Sequence, residues 1–258
     1  MRVLTLVLLI LAALSCSAEA QPQVGLGTTI SSADLLYFAG SPEQAYTLLE
    51  GHIKENPSDY EALWRAARAA VVLGIDAEGI EPQNRWLDSA IDLGNRAVAE
   101  SPDQIEGRYW RGAAAGRRAL NAGNTYAAEL AQRVYDDAHL ILEQDSRHGG
   151  AHNLLGKLNY EIMSLSRIER FIGRLVVRNQ ALRNSSWENA EHHLGAAAEF
   201  WPDFVLFQYD LAQLHIKRGR AEEAQRVFGK LLDIPPLHPV DRSLKERAQT
   251  YLHEPNDS

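Results

Sequence analysis

Histidine pairs are the residues in this sequence whose spacing could support metal chemistry. His148 and His152 are four residues apart, and His192 and His193 are adjacent. Two imidazoles at i and i+4 on a helix share one face and can both bind zinc. However, two glycines place His148 at a loop-to-helix junction, and no carboxylate or thiol lies at ligand spacing. The sequence therefore predicts no metal site.

Catalytic and phosphate-binding motifs would indicate other kinds of chemistry. The chain contains no His-Glu-x-x-His helix, no Gly-x-Ser-x-Gly elbow and no Gly-x-x-x-x-Gly-Lys loop. We therefore predict a protein that is not an enzyme and that uses no cofactor.

A run of arginines could bind negatively charged groups. Arg167, Arg170, Arg174 and Arg178 follow one another at 3-4-4 spacing, which places them on one face of a helix with an apolar opposite side. In the first interpretation the arginines face solvent or pair with carboxylates of the chain itself. In the second they bind an anionic ligand or a phospholipid head group, and in the third the helix lies on a membrane surface.

A repeated spacing of residues organises most of the chain. Each copy begins with a small residue, continues with a residue four later and another three later, and ends at a proline or serine five later. The 4-then-3 spacing places these residues on one helix face, and the proline ends that helix. The five copies begin at Ala45, Ala90, Val134, Ala190 and Ala224.

A second kind of helix is predicted after each of the first four stops, over residues 60–74, 105–120, 149–162 and 205–219. The pairs Arg111-Gly112 and Leu155-Gly156 provide a small residue where the two helices of a pair approach closely. This two-helix unit resembles the tetratricopeptide repeat (TPR). The predicted fold is all-α: a TPR-like α-solenoid of about five helix-turn-helix repeats with inserted segments and a C-terminal capping helix.

The predicted domain boundaries follow from the repeats and from composition. Uneven spacing between copies predicts insertions at residues 76–86, 121–127 and 163–187. A stretch rich in Gln, Pro, Gly, Thr and Ser predicts a flexible leader before the solenoid. The predicted segments are a signal peptide at 1–20, the leader at 21–32, the solenoid at 33–239, and a capping helix and tail at 240–258.

The N-terminus has the parts of an export signal. A basic start at Arg2 precedes an apolar run over residues 3–14, and Ala18 and Ala20 lie at the spacing that signal peptidase prefers. One interpretation is cleavage after Ala20. The alternative is that residues 13–16 act as a loose lipobox and Cys16 becomes a lipidated first residue, and a buried core helix remains a third interpretation. We expect an exported protein, periplasmic or secreted, or lipid-anchored through Cys16.

The charge balance bears on the class of partner. Acidic residues outnumber basic ones, 34 to 26, and the net charge is −8. Nucleic-acid binding needs a basic surface, so we predict no nucleic-acid partner.

Four short stretches carry a family likeness: His152-Asn153-Leu154-Leu155-Gly156, Tyr160-Glu161, Trp187-Glu188-Asn189-Ala190 and Leu232-Asp233-Ile234-Pro235. With them, residues 152–252 resemble the regulator of microtubule dynamics family, and residues 39–102 match it more weakly in the same register. The resemblance implies a helical TPR domain without enzymatic activity. Its animal members are associated with microtubules, and one with membrane contact sites and lipid binding. An exported protein does not meet microtubules, so only the fold and a binding surface are carried over.

The concave groove is the predicted binding surface, because the first helix of each TPR pair lines it. Aromatic and basic groups there suit a peptide or an amphiphile with an anionic head. The alternative is that the aromatic rings pack between adjacent helices. The predicted groove residues are Trp64, Arg68, Tyr109, Asn153, Lys157, Tyr160, Tyr209 and Gln213.

The sequence thus predicts a non-enzymatic, extracytoplasmic TPR adaptor that presents its groove to a protein or peptide partner. The alternative function is a carrier of lipid or of a small anionic ligand, which would use the groove and the arginine-rich inserted helix and could contact a membrane surface.

Overall fold

The computed structural model describes residues 26–166 and 179–253, and this part of the chain consists of helices and short connections. The helices are α1 Leu26–Phe38, α2 Pro42–Glu55, α3 Tyr60–Asp76, α4 Ile80–Glu100, α5 Ile105–Ala119, α6 Asn124–Gln144, α7 Gly149–Ser164, α8 Gln180–Asn184, α9 Trp187–Phe200, α10 Val205–Lys217, α11 Ala221–Asp233 and α12 Asp241–His253.

Consecutive helices pack as pairs, and the pairs stack side by side. The pairs are α1–α2, α3–α4, α5–α6, α7–α9 and α10–α11, while the short α8 packs on α6 and α12 follows the last pair. This arrangement confirms the predicted all-helical solenoid with a terminal helix.

The repeated spacing marks the buried face of the second helix in each pair. The five residues that begin the copies are each 1% exposed or less. In the first, second and fourth copies, the carbonyl of the third position accepts the last hydrogen bond of its helix, from the N–H of the residue that follows the helix. These bonds join Asn56 to His52 at 2.8 Å, Ser101 to Ala97 at 3.0 Å and Trp201 to Ala197 at 3.1 Å. Each donor residue, Asn56, Ser101 and Trp201, is followed directly by a proline, so the helix cannot continue.

Small residues let the helices of a pair come close together. A methyl group at Gly156 of α7 would lie 2.6 Å from Leu194 Cγ and 2.8 Å from the Leu194 backbone nitrogen of α9. Glycine is therefore required at this contact, as the sequence predicted for this position.

The N-terminal boundary differs from the prediction. We expected a flexible leader up to residue 32, whereas α1 begins at Leu26. Ala33 and Tyr37 lie four residues apart on one face of α1, and both are fully or almost fully buried. That burial stabilises a helix whose preceding sequence is rich in polar and small residues.

The inserted segments also differ in detail from expectation. Most of residues 76–86 forms the first two turns of α4, which begins at Ile80, and so lengthens a helix of the pair rather than separating the two helices. Residues 167–178 of the longest insertion lie outside the described ranges.

The terminal helix α12 covers the end of the stack. Leu244 and Ala248 of α12 are buried in one cluster with Phe228 and Leu231 of α11. The Asp241 carboxylate accepts the backbone N–H groups of Leu237 at 2.8 Å and His238 at 2.7 Å, which fixes the turn into the helix. None of the helices in the described ranges is both long enough and apolar enough to cross a bilayer.

The close helix contact gives a direct test of the packing. We expect Gly156→Ala to lower the free energy of unfolding by about 1–3 kcal/mol, because the Leu194 backbone would have to move. Gly229→Ala is the matched control, since Gly229 is an exposed helical glycine with open space around its Cα. It should raise stability by about 0.5–1 kcal/mol. Urea unfolding measures both, and equal effects would contradict the proposed contact.

Candidate binding cleft

An open cleft of about 400 Å³ lies where α5, α7, α10 and α12 meet. Its volume is in the range of sites that hold a small molecule or a few side chains. Four of the predicted groove residues line it together: Lys157, Tyr160, Tyr209 and Gln213. The structure therefore gathers half of the predicted set into one site, on the helices that the sequence assigned to the groove.

Lys157 is the central charged group of the cleft. Its ammonium lies 3.2 Å from Glu161 and 3.4 Å from Asp210. Burial lowers the pKa of Lys157, but the carboxylates of Asp210 and Glu161 outweigh burial and hold that pKa above its ordinary value. Lys157 also lies 4.7 Å from the ring centroid of Tyr160. The lysine is therefore a charged group with a defined position at neutral pH.

Asn153 lies beneath the cleft rather than on its surface. Its side-chain amide donates to Asp210 at 2.9 Å, and both residues are buried. A ligand in the cleft would not contact Asn153 directly. Its amide instead orients the Asp210 carboxylate that pairs with Lys157.

The walls of the cleft combine rings and aliphatic groups. Tyr209 packs against Phe228 with ring centroids 5.6 Å apart, and Tyr160 packs edge-on against Trp187 at 6.1 Å. These contacts fix two rings that remain partly exposed. A ligand would meet preformed surfaces, which reduces the entropy lost on binding.

Three further cations line the cleft: Arg117, Lys217 and Arg247. They were not among the predicted groove residues, although a signal existed for two of them. Lys217 follows the predicted groove residue Gln213 by four residues, and Arg117 follows Tyr109 by eight, so each lies near the helix face of that groove residue. Arg247 was missed because α12 was treated only as a cap for the stack.

A proline-rich loop reaches from the C-terminal helices to the N-terminal ones. We name residues 234–240, which connect α11 to α12, the clasp. The His238 ring lies 4.4 Å from the ring of Phe204 and 5.7 Å from that of Phe38, measured between centroids. Val240 packs on a cluster that includes Tyr37 of α1 and Ala69 of α3. The clasp thus joins the last pair of helices to the first.

Arg68 lies in the interior beside the clasp. It is 6% exposed, donates to Asp34 at 2.5 Å, and holds its guanidinium 3.9 Å from the ring centroid of Tyr37. Burial lowers the pKa of His238, and the Arg68 charge adds to this effect while Asp241 opposes it. Arg68 therefore serves the contact between α1 and α3 and is not open to a ligand.

The predicted aromatic residues of the first helix pairs differ in their exposure. Tyr109 is buried and makes edge contacts with Trp110 at 4.8 Å and His148 at 5.6 Å, as the alternative interpretation expected. Trp64 is partly exposed, and its indole N–H donates to Glu61 at 3.0 Å. Trp64 and Tyr109 therefore do not continue the open cleft that Tyr209 lines.

The histidines form a compact polar cluster. The Nδ1 atoms of His152 and His193 are 2.9 Å apart, and His152 Nε2 lies 3.1 Å from the Ser146 carbonyl. Because that carbonyl only accepts, Nε2 carries the proton and His193 donates to His152. No group of three His, Cys, Asp or Glu side chains within residues 26–166 and 179–253 is arranged to hold a metal ion.

Two other sets of predicted site residues cannot be placed. Cys16, the candidate lipidation site, lies outside the described residues. The same holds for the arginine stripe of Arg167, Arg170, Arg174 and Arg178.

Known proteins resemble this chain in sequence pattern and in fold. A family model described as regulator of microtubule dynamics protein 1-3 matches residues 29–255. A thermophilic TPR protein of Thermus thermophilus superposes with a TM-score of 0.62 and 24% identity, over 88% of this chain and 98% of that one. YrrB, a TPR protein with an unusual peptide-binding site, gives 0.41 and 16%, over 86% and 91%. No curated protein matches the sequence. The Thermus thermophilus structure shows the shared fold.

The histidine cluster predicts a loss of stability in acid. Burial lowers the pKa of His193 to about 3, and the neighbouring imidazoles of His152, His192 and His139 add to the shift. The unfolded chain takes up its proton near the ordinary value of 6.5, before the folded chain does. Stability is therefore complete above that value and falls as the pH drops below it. Thermal unfolding at about pH 7.5 and about pH 5 measures this.

Replacement of the half-buried His193 isolates its contribution. His193→Gln should show a smaller drop in unfolding temperature between these two pH values than the original protein. His253→Gln, at the exposed end of α12, is the control and should keep the original drop. An unchanged drop in His193→Gln would show that this cluster does not set the acid sensitivity.

The clasp contact predicts energetic coupling between the two ends of the chain. In a double-mutant cycle, Phe38→Ala and His238→Ala should couple by about 0.5–1.5 kcal/mol, since their rings are in contact. Leu35→Ala on α1 is the control, because Leu35 is 73% exposed. Urea unfolding gives the values. If Phe38 couples to His238 no more strongly than Leu35 does, the proposed contact between the clasp and α1 is wrong.

Proposed function

The chain belongs to the regulator of microtubule dynamics protein 1-3 family, and from this premise we propose that it is a non-enzymatic adaptor that binds a protein partner. A short extended segment of the partner occupies the open cleft. The observation that carries the proposal is the cleft itself, with two fixed tyrosines, Gln213 and a positioned lysine around about 400 Å³.

The chemistry of the lining supports a peptide as the occupant. Gln213 can donate to and accept from a peptide backbone, while Tyr160 and Tyr209 offer ring faces and hydroxyl groups. Leu206 and Leu244 add apolar surface. The solenoid fold and the family are typical of non-catalytic scaffolds, which supports binding over catalysis.

The position of the clasp supports binding of the partner in the C-terminal half of the groove. It covers the interior around Arg68, so a partner entering there would first have to displace His238 from between two aromatic rings. The cleft between α7 and α10 needs no such rearrangement. Binding to a preformed surface is the less costly route.

We also propose that the protein acts outside the cytoplasm. The proposal is supported by the basic start, the apolar run over residues 3–14 and the small residues before Gln21. Mass spectrometry of the protein from its native host tests it. A first residue at Gln21, or a lipidated Cys16, would support export, and an uncleaved N-terminus in the cytoplasmic fraction would refute it.

Site-specific photo-cross-linking tests the cleft as the binding site. A photoreactive residue in place of Gln213 should yield a covalent adduct with a polypeptide in cells of the native host. The same residue in place of Lys230 is the control, because Lys230 is exposed on α11 and does not line the cleft. Mass spectrometry of the adducts identifies the class of partner.

The outcomes separate the adaptor from its alternative. A polypeptide adduct specific to position 213 supports the adaptor. A lipid or small-molecule adduct specific to that position would replace the adaptor with a carrier. Identical adducts from both positions would show that the cleft is not a specific site.

A further inference from the structure

We propose that the cleft selects an acidic peptide segment, one that carries carboxylates beside an apolar residue. This inference rests on the proposed function and specifies its ligand. It is carried by the charges around the cleft, which differ in sign from those of the protein as a whole.

The cleft concentrates positive charge in an acidic protein. Four basic side chains and two carboxylates line it, whereas the chain carries a net charge of −8. An excess of one sign of charge in a cleft attracts ligands of the opposite sign. The local excess therefore favours an anionic occupant.

Three of the four cations are free to meet a ligand. Arg117, Lys217 and Arg247 form no ion pair with any carboxylate in the described part of the chain. They come from α5, α10 and α12 and so approach the cleft from different helices. Separate cations on separate helices suit several carboxylates along a chain better than one compact anion.

The carboxylates of the cleft oppose such a ligand only weakly. Asp210 is 6% exposed, and its charge is balanced by Lys157 at 3.4 Å and by the Asn153 amide. Glu161 is the more exposed of the two and also pairs with Lys157. Glu161 is therefore the single lining carboxylate that an acidic segment would approach closely.

The apolar part of the ligand follows from the walls. Leu206, Leu244 and the ring of Tyr209 share the cleft with the cations. A purely polyacidic segment would leave this surface uncovered, whereas an apolar residue between carboxylates would bury it.

A random twelve-residue peptide display library panned on the protein tests the inference without assuming a sequence. We expect the selected peptides to be enriched in Asp and Glu around Leu, Ile or Phe. The best of them is then synthesised with its carboxylates and again with Gln and Asn in their place. Fluorescence anisotropy should show the carboxylate form binding at least about tenfold tighter, with affinity falling as salt rises.

Charge variants distinguish an effect on binding in the cleft from an effect of misfolding. Arg117→Gln combined with Arg247→Gln should weaken binding of the carboxylate peptide by about tenfold or more. Glu161→Gln should instead tighten it by about two- to fivefold, since it removes repulsion, and a misfolded protein cannot gain affinity. Lys230→Gln, outside the cleft, should leave binding unchanged.

Each remaining outcome is decisive. Selection of neutral or basic peptides that bind the cleft would overturn the acidic ligand while leaving the adaptor intact. Failure to select any peptide would count against the adaptor as well. Binding of phosphatidylglycerol vesicles that depends on Arg117 and Arg247, without acidic peptides, would assign these cations to a lipid head group and overturn the inference.

Discussion

Helix pairs in this protein cannot bury their apolar faces alone, and each depends on the next pair for cover. The dependence is visible at the five residues that begin the copies of the repeat, all of which are buried. It also means that the apolar face at each end of the stack needs a further helix to bury it. The C-terminal seal is α12, through Leu244 and Ala248. The N-terminal seal is α1, whose Tyr37 is also in contact with the clasp.

The packing of the clasp against α1 determines where on the groove a partner can bind. The clasp that reaches α1 runs beside Arg68, which is buried there. Four groove residues of the later repeats remain partly exposed and line the cleft: Lys157, Tyr160, Tyr209 and Gln213. Binding is thereby directed to one half of a surface that the repeat pattern alone would treat as uniform. Lys157 and the further cations Arg117, Lys217 and Arg247 then give that half its positive charge.

Local pattern predicted the helices, while long-range contacts decided the site. The 4-then-3-then-5 spacing marks one helix face and its end, both of which are set by neighbours within a few residues, so the helix bounds agree closely with prediction. Gly156 was predicted from its place in the two-helix unit, although the residue it contacts, Leu194, lies on another helix.

The clasp could not be predicted in this way. His238 contacts Phe38, two hundred residues earlier in the chain, and nothing in the local sequence of either residue specifies the other. The burial of Arg68 and the helical state of residues 26–32 both follow from such contacts with α1. Periodicity alone left Tyr109 open to two interpretations, and packing against His148 decides between them.

The central claim is that a partner binds the open half of the groove while the clasp stays closed. Hydrogen exchange of the protein with and without a selected peptide tests it most directly, because local protection reports both the bound surface and the clasp. We predict slower exchange in residues 157–164 and 205–217 and unchanged exchange in residues 60–76 and 234–240. Slower exchange in α3 with faster exchange in the clasp would show that the partner displaces the clasp, and would contradict this account.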